Sequence, residues 1–242
     1  MEQNSFKKGI VDGLPICVGY FSVSFAFGIF AVASGLTILQ ATLISLTNLT
    51  SAGQFAAVPI ICAGGGLIEL CISQLVINSR YALMSVSLSQ KLSPSVRGLR
   101  RFLIAFGNTD EIFAVSVSRG APVGYKYMYG LILTPVLGWT MGTLFGAAAG
   151  NILPAVVTTS LGVAIYGMFV AIVMPQAKED KAAALCVFIS IILSCAFKYL
   201  PVLNTVPSGF VIIICAVVAS VIMALVAPIK IETEEVETDA VH

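Results

Sequence analysis

Two polar clusters, Asn78-Ser79-Arg80-Tyr81 and Gly107-Asn108-Thr109-Asp110-Glu111, sit inside stretches that are otherwise apolar. A charged side chain at bilayer depth costs roughly 2.5–3.5 kcal/mol on insertion scales, so such residues pair, line a cavity or do chemistry. Three uses are open to Arg80. Its guanidinium can hold a carboxylate through two parallel hydrogen bonds, pair with Asp110 or Glu111, or reach the interface along its aliphatic stem. Asp110 and Glu111 are adjacent, so on a helix they point about 100° apart. One can pair with Arg80 while the other faces a cavity and exchanges a proton, the usual material of a proton-coupled carrier. Asn78, two residues before Arg80, lies off its helical face, so joint action of the two needs a local break.

A second kind of signal is the run Thr47-Asn48-Leu49-Thr50-Ser51-Ala52-Gly53-Gln54. A helix broken inside a bilayer exposes N–H and C=O groups that only protein or water can satisfy, and small and amide residues suit such a break. Ser51, Gly53 and Gln54 would then start a new helix, whose N-terminal N–H groups suit a carboxylate. The alternative is a kinked helix whose polar side chains bond internally. Glu69, in Leu67-Ile68-Glu69-Leu70 beside Gly64-Gly65-Gly66, is a further intramembrane acid, either a proton site or a helix cap.

The elements that must position these residues are membrane spans. Of 242 residues, 58% are hydrophobic and 10% charged, against about 25% charged in soluble domains, and the mean hydropathy is +0.99. The expected fold is all-α: a polytopic membrane bundle of about six to eight hydrophobic segments, some broken or re-entrant, forming one domain over 1–230. Since about 20 apolar residues cross the hydrocarbon core, the expected spans are 14–34, 55–77, 128–149, 154–174, 182–200 and 209–227. The segments 38–49 and 102–118 read as half-helices or re-entrant hairpins. Five of the 12 acids lie in 231–242, a segment expected to be a solvated acidic tail. Lys7, Lys8, Lys91, Arg97, Arg100, Arg101, Arg119 and Lys126 place their loops, and the N-terminus, in the cytoplasm. Charge alone leaves six spans open against seven or eight.

Gly138, Gly142, Gly146 and Gly150 recur every four residues, which stacks bare positions on one helix face for close packing against another helix, within the chain or in another subunit. Pro15 to Gly19 followed by Phe27-Gly28 echoes Pro135 to Gly138 followed by Phe145-Gly146, a faint internal repeat of the sort found in transporters. The six cysteines are scattered, and the lone histidine is His242. No metal or cofactor is expected, nor a nucleic-acid partner. The sequence has no G-x-x-x-x-G-K-[ST] or H-E-x-x-H motif, so an enzyme or an ATP-driven pump within this chain is not expected.

Several ordered features together resemble the AzlC-type large subunit of branched-chain amino-acid exporters. They are Asp12-Gly13-x-Pro15 with Gly19, Phe27-Gly28, Gly35, Ser51-Ala52-Gly53-Gln54-Phe55, Asn78-Ser79-Arg80-Tyr81-x-Leu83-Met84-Ser85 and Thr109-Asp110-Glu111. The resemblance implies a multi-pass protein of the bacterial inner membrane. It would export leucine, isoleucine, valine and methionine-like substrates on the proton motive force, beside a small hydrophobic AzlD-type subunit. Ser79 departs from the family pattern, where Leu or Met is frequent, and adds to the expectation of a break in this helix. On this reading Ser51, Gly53, Gln54, Asn78, Arg80, Thr109 and Asp110 bind substrate, and Asp110, Glu111 and Glu69 handle protons. Phe25, Phe27 or Phe55 would receive the aliphatic side chain. The competing readings are a non-transporting scaffold or sensor, and a transporter of another small metabolite.

Overall fold

A computed structural model of the chain describes residues 4–120, 122–152, 170, 173–174, 177–178, 180–201 and 203–227. Most of the expected span 154–174 and the acidic tail 231–242 lie outside these residues. The described residues form nine helices with defined ends: α1 Phe6–Ala33, α2 Ile38–Thr47, α3 Ala52–Cys62, α4 Leu67–Lys91, α5 Leu99–Phe106, α6 Asp110–Val117, α7 Tyr125–Ile152, α8 Lys181–Tyr199 and α9 Ser208–Val226. The helices α1, α7, α8 and α9 are long and apolar enough to cross a membrane. At 25 residues α4 is also long enough, about 37 Å against a hydrocarbon core of about 30 Å.

The backbone of the fold is the pair α1–α7. Gly138 lies against Cys17, Gly142 against Phe21, Gly146 against Phe25 and Gly150 against Ile29. Each step of four on one helix meets a step of four on the other, in the same direction, so α1 and α7 run parallel. The contact is reciprocal, since Gly9 and Gly28 of α1 lie against the α7 backbone at Tyr127 and Thr143. At the starts of both helices Asn4 bonds to Pro122 O and Gly124 N, and Asp12 accepts from Lys8, Tyr127 and Arg119. These bonds gather the basic residues near both helix starts at one end of the molecule, here called the basic end.

Between these parallel helices the chain makes two hairpins of opposite sense. The helix α1 stops at the far end where Gly35 takes φ +109°. There Leu36 N–H bonds Ala31 O and Gly35 N–H bonds Val32 O, the paired closure that a left-handed residue after a helix permits. Thr37 and Gln40 then cap α2 reciprocally. Near the far end Ala41 of α2 and Phe55 and Val58 of α3 share a core with Phe27, Ala31 and Ala147. Leu49, between α2 and α3, packs instead with Tyr20 and Trp139, at the middles of α1 and α7. Hence α2 descends to mid-depth and α3 climbs back. The helix α3 ends in the same paired closure at Gly64, φ +71°, and α4 crosses to the basic end, where Leu92 and Val123 pair as an isolated bridge. From there α5 rises until Gly107 rests on Ile132, and α6 returns, with Ile104, Ile112, Leu88 and Met128 in one core.

The segments 38–62 and 99–117 both turn back at mid-depth, entering from opposite ends. Two expectations are corrected. The apolar run 55–77 is not one span, because the Gly64 turn divides it between α3 and α4. The helix α4 passes unbroken through Asn78-Ser79-Arg80, because Ser79 Oγ donates to Val76 O and Asn78 Nδ2 to Gln74 Oε1, within the helix. The remaining two helices form an antiparallel pair. Asp180 caps the start of α8, which packs beside the end of α9, while the start of α9 meets Glu69 at the far end.

Candidate functional site

Tyr20, Arg80 and Trp139 lie at the middles of α1, α4 and α7, and both hairpin tips come to this level. At the first tip Asn48 Oδ1 accepts from Thr50 N–H at 3.2 Å, an Asx turn. Ser51 follows with φ +48°, the one non-glycine residue of positive φ among the described residues. Such backbone strain persists only where the surroundings enforce it, and it clusters at functional sites. At the second tip Thr109 N–H bonds Gly107 O across Asn108, a three-residue turn.

Between the tips lies a cavity of about 240 Å³, lined by Thr47 to Thr50, Tyr81, Ala105, Phe106, Asn108 and Thr109. Arg80 and Asp110 pair at 2.9 Å, each about half exposed at 48% and 45%. Arg80 also bonds Tyr81 Oη at 3.3 Å and stacks on its ring. Glu111, on the next position of α6, accepts a hydrogen bond from Tyr20 Oη. Thus the two acids split as their helical spacing allows, one toward α4 and one toward α1. Thr50 Oγ1, Asn78 Oδ1, Asn108 Oδ1 and Thr109 Oγ1 are buried without a partner. Three of them, on Thr50, Asn108 and Thr109, belong to residues that line the cavity, and each can accept from a ligand that donates hydrogen bonds.

The remaining candidates fall into different places. Gln54 is fully buried, donates to Ser45 Oγ at 3.0 Å and accepts from Trp139 Nε1 at 2.9 Å, and Ser45 in turn bonds Thr143. It ties α2, α3 and α7 together and has no exposed surface. Gly53 O accepts from Gln74, and a side chain at Gly53 would displace the polar ends of Thr50, Gln74 and Asn78 gathered over it. With α4 intact, Asn78 faces this junction while Arg80 faces Asp110. Glu69 accepts from Gly209 N–H at 2.9 Å, at the start of α9. This is a carboxylate on a helix N-terminus, and it lies 11 residues, about 16 Å of helix, from Arg80. Phe27 and Phe55 pack edge to face in the far-end core, and Phe25 lies with its backbone on Gly146. The apolar wall of the cavity is Leu49, Ala105 and Phe106 instead.

Sequence reasoning missed Tyr20, Ser45 and Trp139, and named Tyr81 in the first cluster without giving it a role. A signal for two of them was present: in the internal repeat Gly19 precedes Tyr20 and Gly138 precedes Trp139, and these rings meet edge to face at 5.3 Å. The buried amide network supports a stability prediction. Gln54→Leu leaves the Trp139 indole N–H without its acceptor and is expected to cost about 1–3 kcal/mol. Unfolding in mixed detergent and SDS micelles measures this, and wild-type stability would refute the structural role.

The profile of the family described as AzlC protein matches residues 15–153, which contain both hairpins and the site. An uncharacterized membrane protein of Archaeoglobus fulgidus is 33% identical over 183 residues, 74% of this chain and 79% of its own length. Inner membrane protein YgaZ of Escherichia coli is 28% identical over 191 residues, 76% and 77% of the two chains. Branched-chain amino acid transport protein AzlC of Bacillus subtilis is 21% identical over 180 residues, 73% and 70%. No solved structure matches the chain.

Proposed function

This chain belongs to the AzlC family, and we propose that it is the large subunit of a secondary transporter that exports branched-chain amino acids. The observation that carries the reading is the Arg80–Asp110 pair at mid-depth, beside a cavity closed by two hairpin tips. An α-amino acid is a zwitterion, so it can replace each member of that pair by its own opposite charge. Its carboxylate goes to Arg80, and its ammonium to Asp110 and the unpartnered oxygens of Asn108 and Thr109. Discontinuous helices meeting at the bilayer midplane are the usual site architecture of secondary transporters.

The substrate class comes from the name of the Bacillus subtilis relative. Leu49, Ala105 and Phe106 supply an apolar wall for the aliphatic chain. One methylene is worth only about 1–3 kcal/mol in such a pocket, so leucine, isoleucine, valine and methionine are all accepted. By the positive-inside rule the basic end faces the cytoplasm, in a bacterial inner membrane like that of the Escherichia coli relative's name. A small hydrophobic AzlD-type subunit completes the carrier, residues 1–230 form its single membrane domain, and 231–242 remain in solvent. The proton motive force drives export, with Glu111, held by the Tyr20 hydroxyl, taking the proton while Arg80 and Asp110 hold the amino acid.

Efflux of leucine from cells fed a leucine dipeptide tests the transport reading. Deletion is expected to raise intracellular leucine, and expression of the chain with its small partner to lower it again. Unchanged leucine on deletion is the outcome of a scaffold or sensor and overturns the proposal. The proton-handling role has its own test. Glu111→Gln is expected to flatten the dependence of efflux on the pH gradient while leucine–leucine exchange persists. If Asp110→Asn and Glu111→Gln both leave that dependence intact, the carboxylates do not couple transport.

A further inference from the structure

A second cavity, of about 330 Å³, lies nearer the basic end between the last turns of α4 and helix α5. Its apolar walls include Leu88, Leu92 and Ile104, and its polar lining is Ser85, Ser89 and Arg101 with Asn108. Arg101 reaches Ser89 O at 3.5 Å, which holds the guanidinium beside the cavity. The two cavities share only Ala105 and Asn108. Asn108 is 4% exposed, and its Nδ2 donates to Ser85 Oγ on α4 at 3.2 Å, while its Oδ1 has no partner. Ala105 and Asn108 therefore face both cavities, and the Asn108 amide is secured by a single side-chain bond. It stands on the three-residue turn at the second hairpin tip, where a small change in backbone angles swings the side chain.

We propose that the second cavity is an outer binding site for the same class of amino-acid zwitterion on the cytoplasmic side, and that Asn108, latched to Ser85, is the door between it and the mid-membrane cavity. Arg101 meets the carboxylate at the outer site, and Leu88, Leu92 and Ile104 hold the aliphatic chain. The ligand then passes Asn108, whose free Oδ1 accepts from its ammonium as it moves. The ligand assignment rests on the export reading; the door does not, because it can be tested without substrate.

The experiment uses sided thiol labelling of the full chain with its small partner, in a background with the six native cysteines replaced. Ser89→Cys, which lines the outer cavity and leaves the Ser85 latch in place, is expected to react with a membrane-impermeant methanethiosulfonate from the cytoplasmic face, in inverted vesicles, and not in right-side-out vesicles. Thr50→Cys reports on the inner cavity. Its labelling from the cytoplasmic face is expected to rise about fivefold when Asn108→Ala is added, the change that loss of one hydrogen bond allows. Ser85→Ala removes the same bond from the other side and is expected to give the same increase, should Asn108→Ala fail to fold. Equal labelling of Ser89→Cys from both faces, or no acceleration at Thr50→Cys with either latch variant, overturns the door. Leucine is expected to slow labelling of Ser89→Cys, and to do so less well when Arg101→Ala is added. Failure of leucine to protect overturns the outer site. Sided, latch-dependent labelling in a protein that shows no leucine efflux would sink the export reading and leave the door standing.

Discussion

Arg80→Ala is expected to lower leucine efflux at subsaturating leucine roughly 10- to 150-fold, the loss of a hydrogen bond to a charged group worth about 1.5–3 kcal/mol. Arg80→Lys keeps the charge and loses the planar fork, so it should raise KM for leucine while leaving kcat closer to wild type. The pair with Asp110 is half exposed on both sides, and exposed pairs stabilise folds by about 0–1 kcal/mol. Expression and thermal stability of both variants should therefore stay near wild type, and the effect should fall on transport. The double variant Arg80→Asp with Asp110→Arg decides between recognition and a structural lock. A lock asks only for opposite charges and should be restored by the exchange. A binding site also asks which charge sits beside Tyr81 and which beside the Asn108–Thr109 oxygens, so efflux should remain lost. Recovery of wild-type efflux in the exchanged protein would rule out directional recognition of the zwitterion.

The division of labour between the acids follows from one residue of helical spacing. Asp110 reaches Arg80 on α4, and Glu111 reaches Tyr20 on α1. Tyr20 meets Trp139 edge to face, and Trp139 bonds Gln54 at the start of α3. The second hairpin tip is thereby tied to the first through two long helices. A change of state at Glu111 therefore has a contiguous path of packed and hydrogen-bonded side chains to the opposite hairpin.

The charged part of this site was legible because the bilayer makes it so. Arg80 and Asp110 stand out in any apolar run, and the breaks at Asn48–Ser51 and Gly107–Thr109 are spelled in amides, threonine and glycine. What the linear pattern does not carry is which end each broken segment enters. That depends on α1 and α7 being parallel, a contact between glycines about half the chain apart. The stripe Gly138 to Gly150 announced a close helix contact without saying which helix it meets. Glu69 was ambiguous for a different reason. A carboxylate that caps Gly209, 140 residues away, is written in the same letters as one that carries a proton. Ser79 misled because a serine inside a helix can satisfy its hydroxyl on the preceding turn, so its polarity demands no break. In the run 55–77 hydropathy argued for one span, while Gly64 supplied the left-handed residue that ends α3. Local backbone geometry overrode the apolar average.

The largest effect on folding is expected along the α1–α7 seam, and it should be graded by position. A methyl added at Gly146 would lie 2.7 Å from the Phe25 carbonyl carbon and 2.8 Å from its Cα, both backbone atoms. No rotamer change relieves that overlap, so the two helices must separate. At Gly150 the same methyl would sit 3.4 Å from Ile29 Cα, near ordinary contact. Gly146→Ala is therefore expected to destabilise the protein by about 1–3 kcal/mol, the usual range for overpacking, and Gly150→Ala to fall within about 0.5 kcal/mol of wild type. Membrane helices have little hydrophobic force to hold a separated seam, since lipid solvates the faces as well as protein does. The displacement should reach the site as well. Tyr20 and Trp139 ride on the two helices that would part, and they hold Glu111 and Gln54. Efflux in Gly146→Ala should fall further than stability alone explains, measured per folded molecule by a conformation-dependent binder or by thermal shift in detergent. Adding Phe25→Ala is the decisive control. The overlap is with the Phe25 backbone, so trimming its ring should restore nothing. If Gly146→Ala with Phe25→Ala recovers wild-type stability, the seam is held by side chains and the close parallel approach of α1 and α7 is wrong.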